Sequence, residues 1–282
     1  MTFALGTFST AGCPPFSGLV VGGRVVSLHA ASRFLAASGR ALSGTHSLLL
    51  LLESWDHDRP LIEELAEALA HARTPELDAC AVAVETLSVH APIPAPRHIY
   101  CTDVNCGRRV FQPIGRQAGG DTMTMCAEGP MHSGAPYFFL KAQSSVAGPY
   151  DPIILPAEAK QPDWNLELAA VIGRATRHVS RERALDHVAG YTIANDITRR
   201  ELLSRRADDG REPGMNWVLA KSSPTFLPLG PYLLPSACIG DPQNLRIRVS
   251  LNGKVIQEES TADMIFVSVW PWPLDRRFAR GG

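Results

Sequence analysis

The stretch Asp163-Trp164-Asn165-Leu166-Glu167-Leu168-Ala169-Ala170-Val171-Ile172-Gly173 decides how this chain is read. Its segment from Leu166 to Ile172 reads as a buried strand. A second apolar run, Tyr191-Thr192-Ile193-Ala194-Asn195-Asp196, predicts another strand, and it ends on a carboxylate. Side chains two apart on a strand share a face, so Asn165 and Glu167 point the same way. Carboxylates from two strand ends that converge on one cavity suit a hard cation such as Mg2+. Asp163, Glu167 and Asp196 are the oxygen ligands in question. Lys221 precedes Ser222-Ser223-Pro224-Thr225-Phe226, and an ammonium there can stabilise a developing oxyanion. The plainer reading has Glu167 and Asp196 exposed at strand ends and Lys221 solvated in a loop.

Working outward, Ser180 can cap a helix to about Val188, with Glu182 favourable at its positive end. Leu245, Ile247, Val249 and Leu251 alternate strictly before Asn252-Gly253 and Val255 to Glu259, which predicts a hairpin. Upstream, Ala91-Pro92-Ile93-Pro94-Ala95-Pro96 disfavours helix and sheet and reads as an extended linker. A short strand from His98 to Cys101 follows. Residues 112–135 are polar and Gly-rich and carry Met123, Met125, Cys126 and Met131, which suggests a loop or lid with sulfur filling gaps beneath it. Before the proline run, Phe3 to Phe8 is apolar, and Leu19 to Val26 reads as a hairpin about Gly22-Gly23. Leu61, Ile62, Leu65, Ala66, Leu69 and Ala70 make one helical stripe, with Asp58 as the expected N-cap.

Composition narrows the function classes. Among 282 residues, 27 Lys and Arg face 28 Asp and Glu, a net charge of -1 that argues against a nucleic-acid partner. The 45% apolar content argues against disorder. The 23 glycines and 22 prolines favour turns and short strands over long helices. Six cysteines without a Cys-x-x-Cys pair read as reduced thiols of a cytoplasmic protein. The first residues do not read as a signal peptide, and the longest leucine run, Leu48 to Leu52, is far too short to span a bilayer. A soluble protein without a membrane partner is expected.

Several segments, in order, resemble the fumarylacetoacetate hydrolase superfamily. They are Phe139-Leu140-Lys141 with Ser144-Ser145-Val146, the stretch from Asp163 to Gly173, and Gly190 to Thr198. Ala220-Lys221-Ser222 with Pro228-Leu229-Gly230-Pro231, and Leu251-Asn252-Gly253 with Thr261-Ala262-Asp263-Met264-Ile265-Phe266, complete the set. The resemblance implies an α+β, β-rich fold: a mixed β-roll catalytic domain over residues 92–266, behind a small accessory domain over 1–91. It implies Mg2+ or Mn2+ held by Glu167, Asp196 and the residue at Asn165, with Lys221 and Arg200 on the substrate. The implied substrate is a small oxo-acid or β-dicarbonyl acid, and the chemistry C–C hydrolysis, decarboxylation or enol isomerisation. A homodimer is the oligomeric state the resemblance allows.

The chain departs from the family pattern in three places. Asn165 stands where the family has its first metal-binding Glu; Asp163 or Asp103 are the candidate replacements. Cys106, Arg109 and Gln112 stand where hydrolytic members carry Tyr and the water-activating His and Glu. An arginine stays protonated at neutral pH and is no general base; His132 and His98 are distant candidates for that role. Residues 267–282 are Trp-, Pro- and Arg-rich and do not match the family's later strands and Gly-rich turn, as a changed reading frame would produce. Two readings follow: a metal-dependent family enzyme, or a degraded member without turnover.

Overall fold

The computed structural model describes residues 2–71, 74–103, 137–205 and 214–264. The N-terminal part is built on β1 (Ala4–Ser9), β2 (Phe16–Val21) and β3 (Arg24–Ser27), joined later by β4 (Val82–Ala83) and β5 (Ser88–His90). They form one antiparallel sheet in the order β4-β3-β2-β1-β5. The Gly22-Gly23 turn has φ of 56° and 76°, the left-handed pair that a two-residue hairpin requires and that glycine adopts without a Cβ clash.

Four helices cover this sheet: α1 (Leu28–Ala36), α2 (Leu48–Glu53), α3 (Trp55–Ala70) and α4 (Pro75–Ala79). Ser27 and Ser47 cap α1 and α2 with their hydroxyls, and the short leucine run becomes α2. The apolar stripe of α3 is buried at Leu61, Ile62, Leu65, Ala66 and Leu69, as its spacing predicts, and Ala70 at its end is exposed. Its start differs from expectation. The helix begins at Trp55, and Asp58 lies inside it, fully buried, with Oδ1 accepting from the Ser43 amide at 2.9 Å. The carboxylate therefore ties down the preceding loop instead of capping the helix.

In the second part, β6 (Ile99–Asp103), β7 (Tyr137–Lys141), β8 (Val146–Ala147), β9 (Pro162–Asp163) and β10 (Leu166–Ile172) come first. Then follow β11 (Val188–Asn195), β12 (Thr198–Arg199), β13 (Ser204–Arg205), β14 (Gly214–Met215) and helix α5 (Trp217–Lys221). The last described strands are β15 (Leu227–Pro228), β16 (Leu234–Pro235), β17 (Arg246–Leu251) and β18 (Lys254–Ser260). The second part holds the three-stranded sheet β10-β11-β16 and the pairs β6-β7, β9-β12, β8-β15, β13-β14 and β17-β18. The β17-β18 hairpin turns at Asn252 and Gly253, φ 50° and 80°, as the Asn-Gly signal predicts. The helix expected after Ser180 is a 3-10 run, Arg181–His187, opened by an i to i+3 bond from the Arg183 amide to the Ser180 carbonyl.

The two parts share a core. Leu5, Leu19, Leu28, Leu51, Ile62 and Leu65 pack in one cluster with Ile93, Ala189 and Leu233. Leu5 and Leu233 exchange both backbone hydrogen bonds, at 2.9 and 2.8 Å. The proline run between the parts has no regular structure, as expected, but it is no free linker. Ala91, Pro92 and Ile93 are buried, and the Pro92 carbonyl accepts from Thr7 Oγ1 at 2.8 Å. A buried carbonyl needs such a partner, which pins the segment against β1. Among the described residues, no helix is long and apolar enough to cross a membrane.

Candidate active site

The β10-β11 register assembles the site. Leu166 pairs with Asn195 and Glu167 with Ala194, antiparallel. One step further, the Asp196 amide donates to the Asn165 carbonyl at 2.8 Å. Directly opposed residues put their side chains on the same face. Asn165, Glu167 and Asp196 therefore share one face of the strand pair, with Glu167 exposed, Asn165 half-buried and Asp196 buried.

Asp196 is not exposed at a strand end; two ammonium groups hold it. Lys141 Nζ donates to Asp196 Oδ1 at 2.6 Å and to the Ile197 carbonyl at 3.3 Å. Lys221 Nζ donates to Asp196 Oδ2, and to Thr198 Oγ1 at 2.8 Å. Each of the three charged residues is only 4% exposed. Lys221 is thus a packed residue at the end of α5, and no solvated loop lysine. Asn216 caps that helix, its Oδ1 accepting from the Leu219 amide at 3.2 Å. Lys221 Nζ also lies 4.8 Å from the centre of the Phe139 ring, which stacks on Trp217 at 4.7 Å and 11°.

Sequence reasoning gave Lys141 no role of its own. The signal was present: in Phe139-Leu140-Lys141, alternation puts Lys141 on the same face as an aromatic that reads as core. Burial pulls the Lys141 ammonium below its usual value, against the raising pull of Asp196. Cys101 also belongs to this neighbourhood, because β6 sets it opposite Phe139. Burial, reinforced by the Asp196 and Glu167 carboxylates and opposed by Lys141 and Lys221, pushes its thiol up to about 12. It stays a neutral thiol at physiological pH.

Arg200 stands apart from this cluster. Its guanidinium holds Asp163 Oδ2 through Nε at 2.7 Å and a terminal nitrogen at 2.6 Å. Asp163 is therefore engaged as the partner of Arg200, and not as a spare metal ligand. Asp103 closes β6 opposite Tyr137. His98 is exposed, with its ring 5.9 Å from that of Tyr100. Cys106, Arg109, Gln112, His132, the loop 112–135 and the segment 267–282 lie outside the described residues.

Whether a divalent cation fits can be judged from the donors. Asn165, Glu167 and Asp196 offer oxygen atoms on one face, the donor type that Mg2+ and Mn2+ prefer. Among the described residues, no three His, Cys, Asp or Glu side chains are grouped to hold a metal ion. The set fits a hard cation with two carboxylates and one amide, provided an ammonium yields its oxygen of Asp196.

Known proteins resemble this chain in sequence and in fold. The family profile described as "Fumarylacetoacetate (FAA) hydrolase C-terminal" matches residues 99–270. A human mitochondrial oxaloacetate tautomerase is 42% identical over 131 residues, 46% of this chain and 40% of its own length. A 2,4-didehydro-3-deoxy-L-rhamnonate hydrolase of a Sphingomonas strain is 40% identical over 131 residues, 46% of this chain and 44% of its own length. The matches thus span less than half of these curated relatives. The maleylpyruvate hydrolase of Sphingobium sp. SYK-6, solved with manganese (II) ion and pyruvate, is similar with a TM-score of 0.62 at 25% identity. That similarity covers 94% of this chain and 78% of the hydrolase. A fumarylacetoacetate hydrolase from Exiguobacterium antarcticum gives a TM-score of 0.64 at 25% identity, covering 93% of this chain and 77% of its own.

Proposed function

The chain belongs to the fumarylacetoacetate hydrolase family, and from that premise we propose that it is a divalent-metal-dependent enzyme of enolate chemistry on a small oxo-acid or β-dicarbonyl substrate. The observation that carries this reading is the buried Lys141–Asp196–Lys221 cluster on the strand face that also bears Glu167 and Asn165. Two ammonium groups in a site only 4% exposed are strong donors toward any oxyanion that forms beside them. Glu167, Asp196 and the Asn165 amide would hold Mg2+ or Mn2+. A bound dication supplies Lewis-acid polarisation of substrate oxygens. Lys221 and Lys141 stabilise the enolate oxygen, the Phe139–Trp217 stack walls off water, and Arg200, outside the lysine cluster and assigned to the substrate by the family resemblance, would bind a substrate carboxylate with Asp163 holding its guanidinium.

Enol isomerisation is the reaction these groups serve best, ahead of decarboxylation. Both need mainly an electrophilic pocket. C–C hydrolysis needs in addition a base to activate water, and Arg109 and Gln112 replace the family's water-activating pair. The second reading, a degraded member without turnover, is favoured by one observation: Asn165 removes a carboxylate from the metal set. The cysteines suit a cytoplasmic protein. A homodimer is the assembly we propose, supported by the exposed apolar run Tyr150, Ile153, Ile154 and Leu155, which a second copy would cover.

The test is calorimetric titration with Mn2+, followed by oxaloacetate and acylpyruvates with the metal present. Enol absorbance reports isomerisation. Metal binding with enol turnover, lost in Lys221→Met while Mn2+ still binds, is the expected result. Metal binding without any turnover establishes the degraded reading, and no binding at millimolar Mn2+ overturns the metal-dependent reading.

A further inference from the structure

We infer that Glu201 is a positioning residue: together with Arg199 it clasps the segment that enters β9, and so sets the aim of Arg200. The inference rests on the functional reading above and deepens it. Residues 158–163 and 196–201 run side by side. Thr198 pairs with Asp163 and Arg199 with Pro162. The Arg200 amide donates to the Gln161 carbonyl at 2.9 Å. There a side chain takes over from the backbone ladder. Pro162 has no N–H to offer. The Gln161 amide donates to Glu201 Oε2 at 3.1 Å, and the Lys160 amide to Glu201 Oε1 at 3.2 Å. Arg199 Nε donates to the same Oε1 at 3.0 Å, and a terminal nitrogen of Arg199 holds Glu158 Oε1 at 3.0 Å.

The clasp is well sheltered, with the Arg199 side chain 8% and the Glu201 side chain 16% exposed. Burial pulls the Glu201 carboxyl up, but hydrogen bonds from its own amide, the Lys160 and Gln161 amides and Arg199 outweigh it and leave it below its usual value. It is a carboxylate at neutral pH, and charge-assisted bonds of this kind are the stronger ones. What it holds has little else to hold it. Residues 152–161 form no strand or helix, and Lys160 and Gln161 are exposed. Arg200 depends on that segment twice. Its amide is anchored on Gln161 and its guanidinium on Asp163. Arg200 and Asp163 are both 34% exposed, so packing alone does not fix the guanidinium. The segment 196–201 thus has two duties. Asp196 and Thr198 hold the lysines, and Arg199 and Glu201 hold the anchors of Arg200.

Glu201→Gln in the full chain, assayed on oxaloacetate with Mn2+, tests this. Glutamine keeps one acceptor and turns an NH2 group toward the second amide. KM should rise on the order of fivefold. Both kcat and Mn2+ affinity should stay within about twofold, because only uniform binding of the substrate is lost. Amide hydrogen exchange, read by mass spectrometry, should quicken over residues 158–163 and not over 188–195. In an Arg200→Met background, Glu201→Gln should leave KM where Arg200→Met alone puts it, since residues that act through one another do not add. Melting curves check folding; if the glutamine variant does not fold, Glu201→Asp, which keeps the charge but shortens the reach, replaces it with the same expected KM. An unaltered KM overturns the inference. So does a rise in KM that persists in the Arg200→Met background, or a parallel fall in kcat and Mn2+ affinity, either of which marks a purely structural role. Unchanged exchange over residues 158–163 overturns the clasp. Absence of turnover by the unmodified chain overturns the enzyme reading itself, and this inference with it.

Discussion

Asp196→Asn should cost this protein a large part of its folding free energy, and the structure says why. Lys141 and Lys221 have side chains 0% and 5% exposed, and both lean on this one carboxylate. Removing one partner of a buried pair costs about 3–5 kcal/mol, because the remaining charge stays buried without compensation. The two pairs share a partner, so their energies do not add, and the expected loss remains about 3–5 kcal/mol against a total of about 5–15. With a urea slope of about 3 kcal/mol/M, the midpoint falls by about 1–1.7 M at unchanged slope. The loss should also depend on pH with a defined sign. Burial already lowers Lys141, and without Asp196 its folded value drops further below the unfolded one. A lysine so depressed gives its stability at high pH and loses it as pH falls, so the penalty should shrink from pH 7 to pH 9. Asp196→Asn combined with Lys141→Met should recover more than 1 kcal/mol. Glu167→Gln on the exposed end of the same face should stay within about 0.5 kcal/mol. A midpoint shift below about 0.3 M in Asp196→Asn, the equivalent of about 1 kcal/mol at that slope, would refute the reasoning that one carboxylate holds both lysines in place.

Three further outcomes are expected. Asp163→Asn loosens Arg200 at a pair with both side chains 34% exposed, so it should cost at most about 1 kcal/mol of stability. It should raise KM for an oxo-acid on the order of fivefold, the factor about 1 kcal/mol corresponds to, with kcat little changed; an unaltered KM would remove Arg200 from the substrate. Cys101, with its thiol pushed up to about 12, should resist iodoacetamide at pH 8.5, whereas exposed Cys13 and Cys80 react. Peptide mass spectrometry reads this, and stability should decline as pH rises above the ordinary thiol value, because only the unfolded chain then ionises. Gly190→Ala puts a Cβ 2.2 Å from the Leu234 carbonyl oxygen on the paired strand, so it should destabilise by about 1–3 kcal/mol in urea melts. At Gly240 no atom lies within 4 Å of the added Cβ, so Ala there should change stability by less than about 0.5 kcal/mol.

The strands were legible because their signals are local. Gly22-Gly23 and Asn252-Gly253 specify their own turns, and the runs Leu166 to Ile172 and Tyr191 to Asp196 carry strand patterning without outside help. What failed was read from single residues whose partners are distant. Asp58 has the composition of an N-cap, but its role is set by the Ser43 amide fifteen residues upstream. The proline run looks like a linker because proline donates no backbone bond, yet its burial comes from packing against β1. The site divides in the same way. Glu167 and Asn165 sit on one strand, so period-two alternation relates them. Lys141 meets Asp196 across 55 positions of sequence, and only the tertiary fold, which brings the end of β7 to the residue after β11, shows the contact.

That contact bears on the choice between a working and a degraded site. Ion clusters this deeply buried are poor stabilisers, since apolar residues of similar volume often do as well or better. Stability alone therefore gives no reason for a carboxylate to hold two ammonium groups at 4% exposure. The proposed enolate chemistry supplies one: two strong donors, fixed and dry beside the oxygen that becomes negative. The buried Lys141–Asp196–Lys221 cluster is the physical ground for preferring turnover, and Mn2+ titration followed by the enol assay is where that preference meets measurement.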